Sequence, residues 1–468
     1  MSRLPTGTEC CSQPAVGFVK RSLLLNVLWA VGGMGVYHLC QLGVLILLAK
    51  FATPEVQGQY FLGLALATPV LLLCGLELRA ALVADVDNRF TLGTYGALRV
   101  VTMTLAGLIL VAAGWWQSRG ETRWPYLLML GGLAAARLLW TQAEFGWGTY
   151  QRRERLDWLA LTVGLRGLTL LLPFAILLPA LGALTTGRAA GGQSAAVAAA
   201  LAVVLHAAGM AAVWLLFDRP RVFDRRCWEL GWCWGDVLRL AWQTLPLGVV
   251  ALIINLCDSF PRLLFNSDRV ADGKTQLGYF GALAYITLAG NLVVVQAATA
   301  AANRLSLHYR DNLRAFLRLG ALLSAAALFV GLVVVALAVV AGRWILATLY
   351  TAEYAAFHRE FVLIAAAHAL ALLTNVFGAA VTQMRLFWVQ VPVQVVTLAA
   401  TILAALWLIP GPTPVRGAAW TAVVRAVVQF VLYAGCVAWG ISLRHRLGTN
   451  SFPPGRVDQA RVPPTSGF

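Results

Sequence analysis

Charge is scarce in this chain. Only 12% of its 468 residues are charged, whereas about 25% of the residues of a soluble protein are. Acidic residues are the scarcer sign, with 20 Asp and Glu against 36 Lys and Arg. Hydrophobic residues make up 60% of the chain, and its mean hydropathy is +0.75. Because so few charges cannot cover a soluble surface, the composition predicts an integral membrane protein whose apolar helices face lipid.

Long polar segments and catalytic motifs are missing too. No polar segment reaches the roughly 50 residues of a small folded domain. The chain has no P-loop, no Gly-x-Ser-x-Gly turn and no zincin motif. Its eight cysteines do not form a zinc-ligand spacing. We therefore expect no enzyme activity, no cofactor and no metal site.

Twelve apolar stretches have the length, about 20 residues, that a helix needs to cross the membrane. The first is too long for the apolar core of a cleaved signal peptide. We expect an all-α, polytopic membrane protein with about twelve transmembrane helices. The predicted spans are 23–48, 56–76, 95–116, 124–147, 158–181, 194–217, 241–265, 277–300, 316–341, 361–384, 386–408 and 416–443.

Basic residues alternate between richer and poorer loops. The richer loops hold Lys20, Arg21, Arg79, Arg89, Arg152, Arg153, Arg155, Arg219, Arg221, Arg225, Arg226, Arg304, Arg310, Arg314, Arg318, Arg385, Arg444 and Arg446. They outnumber the basic residues of the other loops by roughly two to one, the bias of cytoplasmic loops. We expect both termini to lie in the cytoplasm. The net charge of +16 is spread along the chain rather than gathered on one segment, so we expect no nucleic-acid partner.

A weak internal repeat divides the chain into halves. Gln57, Tyr60 and Phe61 align at a constant offset with Gln276, Tyr279 and Phe280. Transporters are often built from such repeated halves, with the substrate path between them. We expect an N-terminal tail at 1–21, a six-helix lobe at 22–217, a linker at 218–240, a second six-helix lobe at 241–443 and a C-terminal tail at 444–468. The linker is either an interfacial amphipathic segment or an ordinary cytoplasmic loop.

Polar and charged side chains recur on one face of several predicted spans. Charges at membrane depth are costly and usually face a cavity or a partner. We expect these stripes to line a hydrated central cavity with net positive charge. The candidate residues are Arg137, Arg166, Arg262 and Arg425 for binding an anionic substrate, and Glu144 and Asp258 for coupling transport to an ion.

Each candidate also has a purely structural interpretation. Arg137 and Glu144 lie on one face of their helix, and so do Asp258 and Arg262. Either pair could be an ion pair within its own helix. Arg166 could bond to the carbonyl groups of a neighbouring helix. The sequence leaves these alternatives open.

Four stretches of the chain resemble the polysaccharide transporters, or O-antigen flippases, of the multidrug/oligosaccharidyl-lipid/polysaccharide exporter superfamily. They are residues 26–69, residues 143–167 (AEFGWGTYQRRERLDWLALTVGLRG), residues 244–286 and residues 349–357 (LYTAEYAAF). The resemblance implies two six-helix lobes that form a V, and alternating access. It also implies that the substrate is an oligosaccharide linked to undecaprenyl pyrophosphate, moved across the inner membrane for the synthesis of a surface polysaccharide such as the O-antigen of lipopolysaccharide.

The partners implied by the resemblance are the lipid-linked oligosaccharide and membrane lipids. A polysaccharide polymerase and assembly proteins are further candidate partners. The main alternative is a multidrug exporter of the same superfamily, which takes cations and should have an acidic cavity. A membrane enzyme that polymerises lipid-linked sugars is a second alternative. No loop is long enough to form the extramembrane domain that such an enzyme normally carries.

The alternating basic loops generate a testable topology. Reporter fusions at Gly187 and Gly273 should give a periplasmic signal, and a fusion at Arg153 should give a cytoplasmic one, because positively charged loops stay on the cytoplasmic side. Paired alkaline phosphatase and fluorescent-protein fusions measure this directly. A cytoplasmic signal at Gly273 would contradict the topology of the second half.

Overall fold

The computed structural model describes residues 23–85, 89–117, 124–153, 155–183, 188–222, 233–287, 311–384 and 386–447, with short pieces between 291 and 309. Every regular element within this part is helical. The predicted N-terminal tail at 1–21 lies outside the described residues, and so does the predicted C-terminal tail at 444–468 except for residues 444–447, which continue α15.

The helices follow one another with short connections. They are α1 (Leu23–Phe51), α2 (Pro54–Gly75), α3 (Leu78–Ala84), α4 (Leu92–Gln117), α5 (Trp124–Arg152), α6 (Leu156–Ala183), α7 (Arg188–Val213), a π-helical turn (Trp214–Asp218), α8 (Arg219–Val222), α9 (Trp234–Leu264), α10 (Gly273–Thr287), α11 (Leu313–Leu349), α12 (Ala352–Ala355), α13 (His358–Gln383), α14 (Phe387–Leu408) and α15 (Pro414–Leu447).

Ten helices of the described part are long and apolar enough to cross a membrane, and the chain is a multi-pass membrane protein. Two predicted spans are not among the ten. The span at 124–147 falls in α5, a helix of 29 residues that carries Arg137 and Glu144. The span at 277–300 begins in α10 and continues into residues that are described only in pieces. Both ends of the predicted linker at 218–240 are helical, because residues 219–222 form α8 and residues 234–240 begin α9. Residues 223–232 of the linker lie outside the described residues.

The helices form two bundles in chain order. In the first, α6 packs along α1 and α7, and α5 packs against α7 and α2. The buried alanines Ala198, Ala199 and Ala202 let α7 approach its neighbours closely. In the second, α13 packs between α11 and α15, and α14 packs against α15 and α9. The charged residues of the predicted stripes are thus divided between the bundles, with Arg137 of α5 in the first and Asp258 of α9 and Arg425 of α15 in the second.

The start of α2 defines where the bundles meet. Thr53 caps the helix, because its Oγ1 accepts the backbone N–H of Val56 at 3.4 Å, and Pro54 occupies the first helical position. From there α2 runs against α10 of the other bundle. A Cβ added to Gly58 would lie 1.6 Å from the carbonyl oxygen of Lys274, and one added to Gly278 would lie 2.1 Å from that of Pro54. Only glycine allows this approach, so the two segments of the sequence repeat pack on each other.

Hydrogen bonds extend the contact between the bundles. The Tyr354 hydroxyl of α12 donates to Oε1 of the buried Gln57 in α2. Further along the contact, the Tyr285 hydroxyl of α10 donates to the carbonyl oxygen of His38 in α1 at 3.2 Å. Tyr37, next to His38, packs against the Trp140 ring of α5. The contact therefore continues from the start of α2 to α1 and α5 of the first bundle.

The close approach of α2 and α10 predicts a steric effect. Gly58→Ala places a methyl group inside the backbone of α10, so the bundles must separate, and we expect a loss of about 1–3 kcal/mol, the usual cost of overpacking. The loss should appear as a lower melting temperature of the purified protein in detergent.

Gly435→Ala in α15 is the matched control. An added Cβ there meets no atom within 4 Å, so the substitution should be neutral or should stabilise the helix by up to about 1 kcal/mol. Equal melting temperatures for Gly58→Ala and Gly435→Ala would show that the approach of α2 to α10 does not matter for stability.

Candidate functional site

An ion pair between two helices of the second bundle marks the centre of the candidate site. Nη1 of Arg425 in α15 donates to Oδ1 of Asp258 in α9, and Nη2 donates to Oδ2 at 3.3 Å. The Asp258 side chain is 47% exposed and that of Arg425 is 22% exposed. An exposed carboxylate within a membrane-spanning helix, here about two turns before the end of α9, needs water around it. The pair therefore lines a hydrated space between α9 and α15. Asp258 takes its partner from α15 and not, as the sequence allowed, from Arg262 on its own helix.

Arg262 lies one turn beyond Asp258 on α9. Its Nε is buried and has no hydrogen-bond partner. The guanidinium is within electrostatic range of Asp258, of Arg425 and of Arg137, which belongs to α5 in the first bundle. Arg262 and Arg425 thus share Asp258 as an anionic neighbour, while Arg137 reaches Arg262 from the first bundle. We call Arg137, Asp258, Arg262 and Arg425 the central cluster, and its formal charge is positive because it contains three cations and one anion.

A histidine completes one wall of the central cluster. His368 of α13 shares a hydrogen bond with the Thr287 hydroxyl at 2.9 Å and lies within electrostatic range of Asp258, Arg262 and Arg425. Its Nδ1 also lies 3.1 Å from the Ile364 carbonyl oxygen. These bonds hold the imidazole in place, so the α13 side of the space is polar but fixed.

A second space, the side cavity, lies within the first bundle. It has a volume of about 190 Å³. Its lining comes from α2, α3, α4 and α5 and consists of Thr68, Leu71, Leu72, Gly75, Glu77, Leu78, Arg79, Arg99, Arg137, Trp140, Thr141 and Glu144. The predicted stripe of Arg137, Thr141 and Glu144 on α5 therefore faces one partly open cavity. Arg137 lines the side cavity and also belongs to the central cluster.

Glu144 has a different partner from the one that the sequence suggested. Its Oε1 accepts the indole N–H of Trp140 at 2.9 Å. Among the residues that the structure describes, no ion pair within 4 Å joins Glu144 to Arg137. Glu144 and Arg99 lie within electrostatic range of each other across the side cavity.

Arg99 and Arg79 are functional candidates that the sequence reasoning missed. Arg99 of α4 is 2% exposed, its Nη1 donates to the Gly75 carbonyl oxygen at 3.4 Å, and its Nε has no partner. Arg79 of α3 donates from Nε to Gln151 at 3.1 Å. Arg99 lies inside the predicted span 95–116, and an arginine at that depth was the available signal. Tyr95 and Thr102 lie on the same face of α4 as Arg99, at i−4 and i+3, so a polar stripe at helical spacing was a second signal.

Arg166 does not lie where the sequence analysis placed it. Its side chain has no exposed surface, and its Nη2 donates to Oδ2 of the equally buried Asp218 at 2.5 Å. Thr162 donates to the same carboxylate oxygen at 3.1 Å, and the Tyr150 hydroxyl donates to Oδ1 at 2.9 Å. The π-helical turn at the end of α7 brings Asp218 to this position. The charge of Arg166 is therefore neutralised by Asp218 in the interior of the first bundle, although its Nε has no hydrogen-bond partner.

Comparisons with known proteins agree with the helical arrangement. No protein-family model matches the chain. The capsular polysaccharide biosynthesis protein CapF of Staphylococcus aureus is 21% identical over 416 residues, which cover 84% of this chain and 94% of CapF. An inward-facing multidrug resistance MATE family transporter of the MOP superfamily superimposes with a TM-score of 0.62 at 16% identity, covering 90% of this chain and 100% of that one.

Other solved structures of the same superfamily superimpose less closely. An outward-facing MATE family transporter has a TM-score of 0.56 at 18% identity, with 92% of this chain and 96% of that chain covered. A MOP superfamily transporter from Pyrococcus furiosus, described as having a binding pocket of reverse polarity that suggests a different function, has a TM-score of 0.55 at 16% identity and covers 90% and 94%. The chain therefore has the fold of the MOP superfamily transporters.

The buried pair of Arg166 and Asp218 predicts a structural rather than a binding role. Arg166→Ala leaves Asp218 as a buried, uncompensated charge, which should cost about 3–5 kcal/mol of stability. Arg166→Met combined with Asp218→Asn removes both charges and should cost less than the sum of the single changes. Unfolding of Arg166→Met, of Asp218→Asn and of the combined variant in detergent measures this coupling.

Arg155→Ala is the control for this cycle. Arg155 forms an ion pair with Asp157 at 3.0 Å, but its side chain is 38% exposed, so solvent should reduce the effect to about 1 kcal/mol or less. Additive effects at Arg166 and Asp218 would contradict their assignment as one buried pair.

Proposed function

We propose that this chain moves an anionic, lipid-linked oligosaccharide of the undecaprenyl-pyrophosphate type across the membrane by alternating access. The central cluster is the observation that carries the proposal. Arg137 comes from the first bundle and Arg262 and Arg425 come from the second, while Asp258 is the one carboxylate among them. A site shared by both bundles can hold its ligand while the bundles rock against each other.

The chemistry of the cluster suits a pyrophosphate group. Such a group bears about two negative charges, and its removal from water requires cationic partners. The planar guanidinium fork of arginine binds phosphate oxygens in pairs, which lysine cannot do. Asp258 occupies the fork of Arg425 in this structure. A phosphate that took its place would leave the carboxylate free to bind a proton or another cation, so Asp258 is our proposal for one coupling residue and Glu144 for another.

The relative CapF supports a role in polysaccharide synthesis, because a capsule is assembled from sugar chains. The MATE neighbours fit the alternative of a multidrug exporter equally well by fold. The charge of the central cluster favours the first reading, because a site with three arginines and one aspartate repels the organic cations that such exporters take. We further propose that the protein lies in the inner membrane with both termini in the cytoplasm. A polysaccharide polymerase and assembly proteins are its proposed protein partners.

Reconstitution tests the proposal directly. Liposomes that contain the purified protein and an oligosaccharide linked to undecaprenyl pyrophosphate are treated with an impermeant glycosidase, which digests only the outer leaflet. Protein-dependent digestion of the inner pool is expected. Efflux of ethidium by the same liposomes, with no movement of the lipid-linked sugar, would establish the multidrug alternative instead.

Arg425 provides the matching variant. Arg425→Ala removes the whole guanidinium group and should slow translocation at least tenfold, which corresponds to about 1.4 kcal/mol. Arg425→Lys keeps the charge without the paired geometry and should stay clearly below the wild type. Initial rates of glycosidase digestion measure both.

Arg416→Ala is the control on the same helix. Arg416 is exposed near the start of α15, more than two turns from Arg425, and its replacement should change the rate by less than about twofold. Translocation at the wild-type rate in Arg425→Ala would exclude the central cluster as the substrate site.

A further inference from the structure

The side cavity has no role in the proposed binding step at the central cluster, yet it is strongly charged. Arg79, Arg99 and Arg137 line it together with Glu77 and Glu144. Within the described residues, no ion pair of 4 Å or less connects these arginines to these glutamates. Three cations against two anions leave a positive balance in a small volume inside a membrane bundle. Such a balance is expensive unless an anion or water compensates it.

Arg99 is the residue for which this cost is highest. Its side chain is 2% exposed, and its Nε is buried without a partner. The one bond that its guanidinium donates goes to Gly75 at 3.4 Å, near the end of α2. The carbonyl end of a helix carries only about half a negative charge, so this cap does not neutralise the cation. A buried, incompletely bonded arginine that lines a cavity points to a ligand of opposite charge.

The size of the side cavity limits what that ligand is. At 190 Å³ it has room for about six water molecules, since one water occupies roughly 30 Å³. It is smaller than the roughly 300 Å³ of the smallest pockets that enclose a drug-sized molecule. An oligosaccharide does not fit, whereas a phosphate or pyrophosphate group does. The lining fits such a group, because arginine forks and the Thr141 hydroxyl are suitable donors for phosphate oxygens.

We propose that the side cavity is a second binding site for a phosphate or pyrophosphate group, with Arg99 as its buried anchor and Arg137 as its link to the central cluster. The proposal deepens the proposed function and rests on it in one respect, namely that the group belongs to the carrier lipid. Arg137 borders both spaces, so a phosphate that leaves the side cavity remains next to a guanidinium of the central cluster. Glu144 reduces the positive charge of the cavity and weakens the binding, which favours release.

Calorimetric titration of the purified full-length protein in detergent with inorganic pyrophosphate tests the site. Ionic strength is held constant with sodium chloride, because screening alone changes exposed charge interactions. The wild type should bind saturably, and Arg99→Gln should weaken binding at least tenfold. Arg416→Gln, on the exposed start of α15, should bind as the wild type does. Pyrophosphate binding at the central cluster alone would leave Arg99→Gln at the wild-type affinity, and this result would overturn the proposal.

Glu144→Gln gives a result of opposite sign and does not depend on the folding of an Arg99 variant. Removal of one negative charge from the cavity should tighten pyrophosphate binding about threefold or more. If Glu144 instead serves as the counterion of Arg99, Glu144→Gln leaves a buried charge uncompensated and lowers the melting temperature without tighter binding. That outcome would contradict the site, as would the absence of saturable binding by the wild type.

Two further comparisons identify the source of the phosphate group and separate this site from transport. Farnesyl pyrophosphate that binds at least tenfold more tightly than inorganic pyrophosphate indicates the carrier lipid, whereas equal affinities indicate a free anion at the same site. If the protein translocates the lipid-linked oligosaccharide normally but Arg99→Gln does not change pyrophosphate binding, the side-cavity site is wrong and the proposed function stands. If pyrophosphate binding depends on Arg99 but the protein does not translocate the oligosaccharide, the site stands and the proposed function is wrong.

Discussion

The close packing of α2 against α10 is the constraint on which the rest of the structure depends. Gly58 and Gly278 let the two backbones approach until no side chain would fit between them, and van der Waals packing of this kind is what associates helices in lipid. Since α2 belongs to the first bundle and α10 to the second, this contact fixes how the polar faces of the two bundles lie relative to each other. The convergence of Arg137 with Arg262 follows from that arrangement.

Low dielectric explains why the charged residues fall into two groups. Arg166 and Asp218 are completely buried, and each is saturated by the other and by Thr162 and Tyr150. Such a pair holds helices together, and the charge of each partner is already neutralised by the other. Arg99 and Arg262 are different, because no carboxylate forms an ion pair of 4 Å or less with either of them within the described residues. In a membrane protein an arginine without such a counterion favours an anionic ligand, whereas one that is already paired does not.

The fold and part of the site could be predicted from the sequence. Hydropathy located most of the helices, and the weak repeat around Gln57 and Gln276 marked the segments that pack on each other. Arg425 and Asp258 were recognised as candidates, because a charge in a long apolar run is rare and costly wherever the helix packs. Arg99 was missed although Tyr95 and Thr102 lie on the same face of α4, and its significance comes from residues of α2, α3 and α5 that surround it.

By itself the sequence determined that this is an all-helical, multi-pass membrane protein and which residues carry charge at depth, because hydropathy and helix length are local properties of the chain. Only the tertiary structure decided which charges meet. Asp258 and Arg425 are 167 residues apart in the chain, and Arg166 and Asp218 are 52 apart. Neither pairing follows from helical spacing, since a periodic pattern gives the face of a helix but not the neighbour opposite that face. That neighbour decides whether an arginine is already neutralised by a carboxylate or can bind an anionic ligand.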